Sequence, residues 1–216
     1  MLIVFALVMI MLGTLAVAAL VYAGARGYRW AGARAMGLER VDGFQLRADA
    51  YYHPGHTWAV ARPDGSVRVG LDDFARRLLG HVDAVRLPAR GSVLRAGDPA
   101  LEVDCWGKRA RLRSPVSGVV TSVNRDVAED GSPVSREPYG RGWLFAVAPA
   151  DAAFRALPTG TTARRWLAEE ADRLRRFFVA DLGLTAADGG ELVAHPPATL
   201  DAGQWAALTR KFFGTD

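Results

Sequence analysis

The chain begins with a long apolar run. Residues 1–25 contain no Asp, Glu, Lys, Arg or His, and about 20 apolar residues are enough for a helix to cross a bilayer core. Basic side chains follow this run and none precedes it, so the positive-inside rule places the following segment in the cytoplasm. The pattern predicts a single-pass transmembrane helix over 1–25, in the inner or cell membrane, with the globular part on the cytoplasmic side. A cleaved signal peptide is the less favoured alternative, because it would have a basic start and a shorter apolar run.

Arginine-rich sequence follows the apolar run. Residues 26–48 predict a juxtamembrane linker. Such a segment either contacts anionic lipid headgroups or is a solvated tether.

Short alternating runs separated by turn residues predict a β domain over 49–152. Residues 58–61 and 66–69 flank Pro63-Asp-Gly and predict a hairpin. Residues 71–79 have helical spacing, and Gly80 is expected to end that helix. Further strands are predicted at 82–87, 100–105, 110–113, 119–123 and 143–147. Many short strands with glycine-rich turns favour a small barrel or sandwich, so the expected fold is mainly β with helical appendages.

Helical spacing returns in a C-terminal extension over 153–216. One amphipathic helix is predicted at 162–182 and a second at 201–213, with Asp201 as N-cap and Gln204 completing a capping box. A short strand is predicted between them at 191–194. Both helices carry aromatic side chains that need a surface to bury against, either this domain or a neighbouring subunit. The interface candidates on these helices are Trp166, Phe178 and Trp205.

Composition excludes several classes of function. The chain has one cysteine, which rules out an internal disulfide framework and a multi-cysteine metal site. A formal charge of +4 is too small to indicate nucleic-acid binding without a localised patch. His53 and His56 are expected to be structural rather than metal ligands, and Cys105 is expected to be packed, although nearby cations would favour a reactive thiolate. No catalytic motif is found, so the chain is not expected to be an enzyme.

A series of short motifs resembles one known family. Residues 51–150 resemble the H protein of the glycine cleavage system, a lipoyl-carrying barrel-sandwich domain. The matching stretches are His56-Thr-Trp, Val69-Gly-Leu-Asp-Asp-Phe, Leu79-Gly-His-Val, Leu87-Pro, Ala96-Gly-Asp, Ser114-Pro-Val-Ser-Gly, Val123-Asn and Glu137-Pro-Tyr-Gly-Arg-Gly-Trp-Leu-Phe. Their order and spacing follow the family pattern over roughly half of the chain.

The resemblance implies a lysine that carries the lipoyl arm at the tip of a β-hairpin. Counting forward from Gly97 and back from Pro115 places this lysine at position 107, which is glycine here. Asp104 stands where the family has a glutamate. Only two lysines occur in the chain, Lys108 and Lys211. Glycine offers no amine, so the expectation is that no cofactor is attached, with a shifted lipoyl group on Lys108 as the alternative.

The same hairpin carries alternating arginines. Arg109, Arg111 and Arg113 are expected to share one strand face that leads to Trp106 at the tip. An acidic partner or an anionic surface would relieve the repulsion between them, so these four side chains are interface candidates, with a solvated strand face as the alternative.

These features favour a non-catalytic, membrane-anchored subunit that scaffolds or recruits other protein subunits of a membrane complex, with the lipid bilayer itself as a further partner. The first alternative is a lipoyl carrier of the glycine-cleavage type, modified at Lys108. The second is a periplasmic adaptor of the membrane-fusion type. Such adaptors usually insert a long helical hairpin into the lipoyl-like domain, and none is visible in this sequence.

Overall fold

The computed structural model describes residues 11, 13–22, 36–181 and 197–214. Residues 11 and 13–22 are helical. Over these described ranges, no helix is both long and apolar enough to cross a membrane. The remainder of the predicted span 1–25 lies outside the described residues, and so does the predicted strand at 191–194.

Eleven strands are found in the described part of the chain from residue 36 onward. They are β1 (Leu38–Val41), β2 (Phe44–Arg47), β3 (Tyr51–Tyr52), β4 (Thr57–Ala61), β5 (Val67–Leu71), β6 (Ala84–Arg86), β7 (Val93–Leu94), β8 (Pro99–Cys105), β9 (Lys108–Arg113), β10 (Gly118–Val123) and β11 (Phe145–Pro149). A six-stranded sheet has the order β3-β4-β5-β11-β10-β7, a three-stranded sheet has the order β6-β8-β9, and β1 pairs with β2. The prediction of a mainly β fold with helices is confirmed.

Five α-helices accompany these strands in the same ranges. They are α1 (Asp73–Leu79), α2 (Arg125–Glu129), α3 (Ser132–Arg136), α4 (Gly160–Arg176) and α5 (Ala202–Phe213). The chain continues from α4 as a π-helical turn, Phe177–Asp181, and residues 153–156 and 197–199 form 3-10 turns. The short helices α2 and α3 have no counterpart among the sequence predictions.

Local capping explains where the helices begin. Asp72 accepts a hydrogen bond from the Ala75 amide (2.8 Å) at the start of α1, which ends at Gly80 as predicted. At the start of α5, the Gln204 amide donates to Asp201 Oδ1 (2.8 Å) and the Asp201 amide donates to Gln204 Oε1 (2.9 Å). The predicted capping box is confirmed.

The core of the larger sheet is built around Trp58. This side chain is fully buried and its indole Nε1 donates to the Leu71 carbonyl (2.8 Å). Gly70 lies directly opposite Trp58 in the β4–β5 pair. A Cβ at position 70 would lie 2.3 Å from Trp58 Cζ2, so only glycine fits between the two strands here.

The expected linker over 26–48 differs from the structure at its C-terminal end. Residues 26–35 lie outside the described residues, but 38–47 form the β1–β2 hairpin with Phe44 and Leu46 buried. The Gln45 amide donates to Asp73 Oδ2 (2.9 Å), and the Tyr139 hydroxyl donates to the Gln45 carbonyl (2.9 Å). This end is part of the folded domain, because the alternating apolar side chains of β2 have a core to fill.

Candidate functional site

The candidate site is the hairpin formed by β8 and β9. Cys105 pairs with Lys108, so Trp106 and Gly107 form a two-residue loop. Both have positive φ, +53° and +70°. Two-residue hairpin loops of type I′ require this conformation at both positions, because it matches the twist of the flanking strands.

Burial assigns the two faces of the hairpin. Cys105, Ala110 and Leu112 are buried, whereas Arg109 and Arg111 are exposed. Lys108 lies directly opposite Cys105 and therefore shares the inner face, although it is only half-buried at the end of the strand. Position 107, where the sequence resemblance places the family's lysine, is at the loop, and an added Cβ there would meet nothing within 4 Å.

Acidic side chains on β8 neutralise the arginines on the outer face. The register places Glu102 opposite Arg111 and Asp104 opposite Arg109. Arg111 Nε lies 3.0 Å from Glu102 Oε1, and Arg109 Nε lies 3.0 Å from Asp104 Oδ1. The expectation that an acidic partner relieves the repulsion is wrong for these two arginines, since the neighbouring strand already does so.

Arg86 on β6 extends this arrangement to a third strand. Its Nη2 lies 2.8 Å from Asp104 Oδ2, and its Nη1 lies 3.6 Å from Glu102 Oε2. Hydrogen bonds from Arg86 and then Arg109 lower the pKa of Asp104 below its ordinary value. The outer face thus carries three arginines and two carboxylates. The sequence analysis missed Arg86 and Glu102, although the alternation along β6 and β8 places both on the outer face.

Arg113 does not share the exposure of Arg109 and Arg111, with which it was predicted to share one strand face. It is half-buried, and its guanidinium donates to the Gly97 and Gly214 carbonyls. Its role is to tie the base of the hairpin to the end of α5.

Cys105 is packed rather than reactive. Its side chain is fully buried, and burial, together with the nearby Asp83 carboxylate, raises the pKa of the thiol to about 12, despite an opposing effect of Lys108. The thiolate is the nucleophilic form of cysteine. The expectation of a packed thiol is confirmed, and the alternative of a thiolate favoured by nearby cations is wrong.

Trp106 is the exposed aromatic side chain at the tip. It is 44% exposed, and its ring lies edge-on to His81 with centroids 6.0 Å apart. The structure confirms its predicted position on the loop.

The three aromatic candidates on the C-terminal helices pack within the chain. Phe178 and Trp205 are buried, and the ring of Trp166 lies 5.7 Å from that of Tyr52. The Trp205 indole Nε1 donates to the Arg109 carbonyl (2.9 Å), so α5 covers β9. Phe178 and Trp205 thus have a core to fill on their own domain, and the structure does not present them as an open interface.

The antiparallel sheets and the tight β8–β9 hairpin are consistent with a lipoyl-type fold. The family model described as "Glycine cleavage H-protein" matches residues 50–170. The chain belongs to the glycine cleavage H-protein family. The match extends beyond residue 150, where the resemblance was expected to end, and includes the first part of α4.

Curated relatives agree with this assignment. The glycine cleavage system H protein of Mycobacterium avium (strain 104) is 44% identical over 117 residues, which are 53% of this chain and 86% of that protein. The H protein of Teredinibacter turnerae is 36% identical over 107 residues, 50% of this chain and 82% of that protein. A crystal structure of the H protein from Mycobacterium marinum is similar at 30% identity with a TM-score of 0.49, covering 56% of this chain and 98% of that chain.

Proposed function

We propose that this protein is a lipoyl carrier of the glycine-cleavage type, with the lipoyl group attached through an amide to the ε-amine of Lys108. The observation that carries the proposal is the position of Lys108. It is the only lysine in the family-matched region 50–170. It is the first residue of β9, next to the loop of the β8–β9 hairpin, which we call the carrier hairpin.

A shift of the attachment point by one residue is compatible with the geometry. Lys108 directly follows the exposed loop and is half-buried at the strand end. The flexible four-carbon stem of a lysine can carry its amine past the loop. When bound, the lipoyl group supplies a disulfide–dithiol couple that carries reducing equivalents or an aminomethyl group.

The residues around Lys108 hold the hairpin in shape. The pairs of Arg109 with Asp104 and of Arg111 with Glu102 connect β8 to β9 on the outer face. The buried side chains of Cys105 and Ala110 fix the inner face. A rigid hairpin presents one lysine to a modifying enzyme and to partner enzymes. Other proteins of the glycine cleavage system are the partners this proposal implies, and the chain itself is a carrier rather than an enzyme.

The test of this proposal is lipoyl incorporation into purified protein by a lipoyl-attaching enzyme, followed by mass spectrometry of peptides. The wild type is expected to gain one lipoyl group, on the peptide that contains Lys108. Lys108→Arg abolishes the gain and keeps the charge. Lys211→Arg, the matched control at the other lysine, leaves it unchanged. No incorporation into the wild type, or incorporation that survives Lys108→Arg, would contradict the proposal.

A second candidate is a subunit without an arm that recruits partners through the hairpin tip. It is favoured by one observation: the family's lysine position is Gly107, in a loop that presents Trp106 to solvent. Here Trp106→Ala is expected to remove co-purifying proteins from the native complex, whereas Lys108→Arg leaves them in place. The carrier proposal predicts the reverse for proteins captured through the lipoyl group.

The membrane anchor remains part of the proposal. The apolar run 1–25 and the arginines after it support a single-pass anchor with the H-protein domain on the cytoplasmic side. Protease treatment of intact spheroplasts is expected to leave the domain uncut, and lysis is expected to expose it. Recovery of the protein in the soluble fraction after lysis without detergent would contradict the anchor.

A further inference from the structure

A fully buried histidine lies between two carboxylates at the junction of the β domain and the C-terminal helices. His56 belongs to the connection between β3 and β4. Its Nδ1 lies 2.9 Å from Asp72 Oδ2, and its Nε2 lies 3.7 Å from Glu170 Oε2 on α4. Neither Nε2 nor Glu170 Oε2 has a hydrogen-bond partner, although both atoms are buried.

The other contacts of these carboxylates hold them in place. Asp72 Oδ1 accepts the Ala75 amide at the start of α1. Glu170 Oε1 accepts from Arg173 Nη1 (2.9 Å). Both carboxylates therefore keep one oxygen directed at the imidazole.

This geometry fits an imidazolium. A neutral imidazole has one N–H and would direct a lone pair at one of the carboxylates, whereas the protonated ring donates on both sides. Two carboxylates and the Arg173 guanidinium leave one negative charge, which a protonated His56 neutralises. A buried group of charges is stable only when it is paired in this way.

The surrounding charges agree with the protonated form. Burial by itself lowers the pKa of His56, but the Asp72 and Glu170 carboxylates outweigh burial and raise it above its ordinary value. His53, on the same connection, has its pKa lowered to about 4, by burial and then by the Arg113 and His56 charges, and is neutral at physiological pH.

Two hydroxyls and an ammonium group are further titratable groups near this cluster. The Tyr52 and Tyr139 hydroxyls, whose pKa values are raised chiefly by burial, stay protonated near Asp72. On α5, the Lys211 ammonium lies over the Phe177 ring.

Aromatic rings from three helices meet at the same imidazole. Phe74 of α1 stacks on it with centroids 4.0 Å apart and 8° between the planes. Trp166 of α4 lies 5.2 Å away, and Phe213 of α5 lies edge-on at 6.3 Å. A cation stacked on aromatic faces gains additional attraction. The charge on His56 therefore acts on α1, α4 and α5 together.

We propose that protonated His56 is a latch that holds α4 and α5 on the β domain and so keeps α5 packed against the carrier hairpin. Loss of the proton leaves Asp72 and Glu170 with one cation, Arg173, and α4 loosens from the domain. Because α5 contacts β9 through Trp205 and Arg109, the hairpin becomes more mobile as well.

The direction of the pH effect follows from linkage. A group with a raised folded-state pKa stabilises the fold fully below its unfolded pKa, and this contribution disappears as the pH rises through the folded-state pKa. The latch is therefore closed below the ordinary histidine pKa and opens as the pH rises through the raised pKa of His56.

The test is hydrogen–deuterium exchange of the full chain at a series of pH values between about 6 and about 9, corrected for the intrinsic pH dependence of exchange. Exchange in α4, α5 and β9 is expected to rise by at least about tenfold across this range. Glu170→Gln lowers the midpoint of the transition, because it removes one of the two carboxylates that raise the pKa of His56. The matched control Glu169→Gln, at the exposed neighbouring position on α4, leaves the midpoint unchanged.

A second measurement needs no variant. Titration of the His56 ring by NMR in the wild-type protein is expected to give a midpoint above the ordinary histidine value. A midpoint at or below that value, or a Glu170→Gln midpoint equal to that of the wild type, overturns the proposal.

Discussion

Gly107 lies in the strained two-residue loop between β8 and β9. Trp106 and Gly107 both have positive φ, and for a side-chain-bearing residue that conformation costs about 1 to 2 kcal/mol. The loop already includes this cost at Trp106, and a lysine at 107 would add it a second time. At position 108 the backbone is that of a regular strand. A one-residue shift of the lysine therefore separates the attachment point from the strained loop.

At the residue scale, this account predicts a difference between two variants of the loop. Gly107→Ala is expected to lower the free energy of unfolding by about 1 kcal/mol, because alanine has no means of offsetting the positive φ. Gly107→Asn is expected to cost less than about 0.5 kcal/mol, since asparagine tolerates this conformation. Urea denaturation of both variants measures the difference. Equal stability of Gly107→Ala and the wild type would show that the loop does not require glycine.

At the scale of elements, α5 packs against β9 of the carrier hairpin. β9 is one of the two edge strands of the three-stranded sheet. Edge strands expose unpaired backbone groups, which proteins commonly cover with a helix. The indole of Trp205 satisfies the Arg109 carbonyl of β9. The guanidinium of Arg113 ties the same strand to the Gly214 carbonyl directly after α5.

Trp205→Phe tests this cover. The substitution keeps most of the ring but removes the N–H donor, so we expect a loss of about 1 kcal/mol in stability and faster amide exchange in β9. Trp106→Phe, at the exposed tip, is the control and is expected to leave β9 protection unchanged. If Trp205→Phe also leaves amide exchange in β9 unchanged, α5 does not stabilise the hairpin.

Elements were predictable where local sequence decides them. The capping box at Asp201 and Gln204 and the stop at Gly80 follow from a few adjacent residues, and both are found. β7 has only two residues and exists because it pairs with Gly118 and Val119, which lie far along the chain. The neutralising pairs of Arg109 and Arg111 depend on strand register. One of the two carboxylates beside His56, that of Glu170, is on a helix outside the β domain. Such contacts have no local sequence pattern.

At the scale of the whole molecule, the half-buried His53 and the fully buried His56 set opposite limits on stability. The pKa of His53 is lowered to about 4, mainly by burial, so its contribution is present above its unfolded pKa and is lost as the pH falls through the folded-state value. The pKa of His56 is raised, so its contribution is lost as the pH rises. The domain is therefore expected to be most stable near neutral pH.

Thermal unfolding across pH separates the two contributions. The Gly55 amide donates to His53 Nδ1 (2.9 Å). His53→Asn is expected to flatten the acid side of the stability curve, because the asparagine oxygen can accept the same amide but cannot be protonated. His56→Asn is expected to flatten the alkaline side on a less stable protein. His81→Asn, at an exposed histidine, serves as the control and changes neither side. An acid side that is unaltered in His53→Asn would contradict the assignment.

The central claim is that this member of the H-protein family carries its lipoyl group on Lys108, one residue after the family position. The most direct test is the intact mass of the wild-type protein purified from its own host, with the modified residue located by peptide fragmentation. The account predicts a mass increment of one lipoyl group, located on Lys108. A single unmodified mass under conditions in which other lipoyl proteins of the same cells are modified would contradict it.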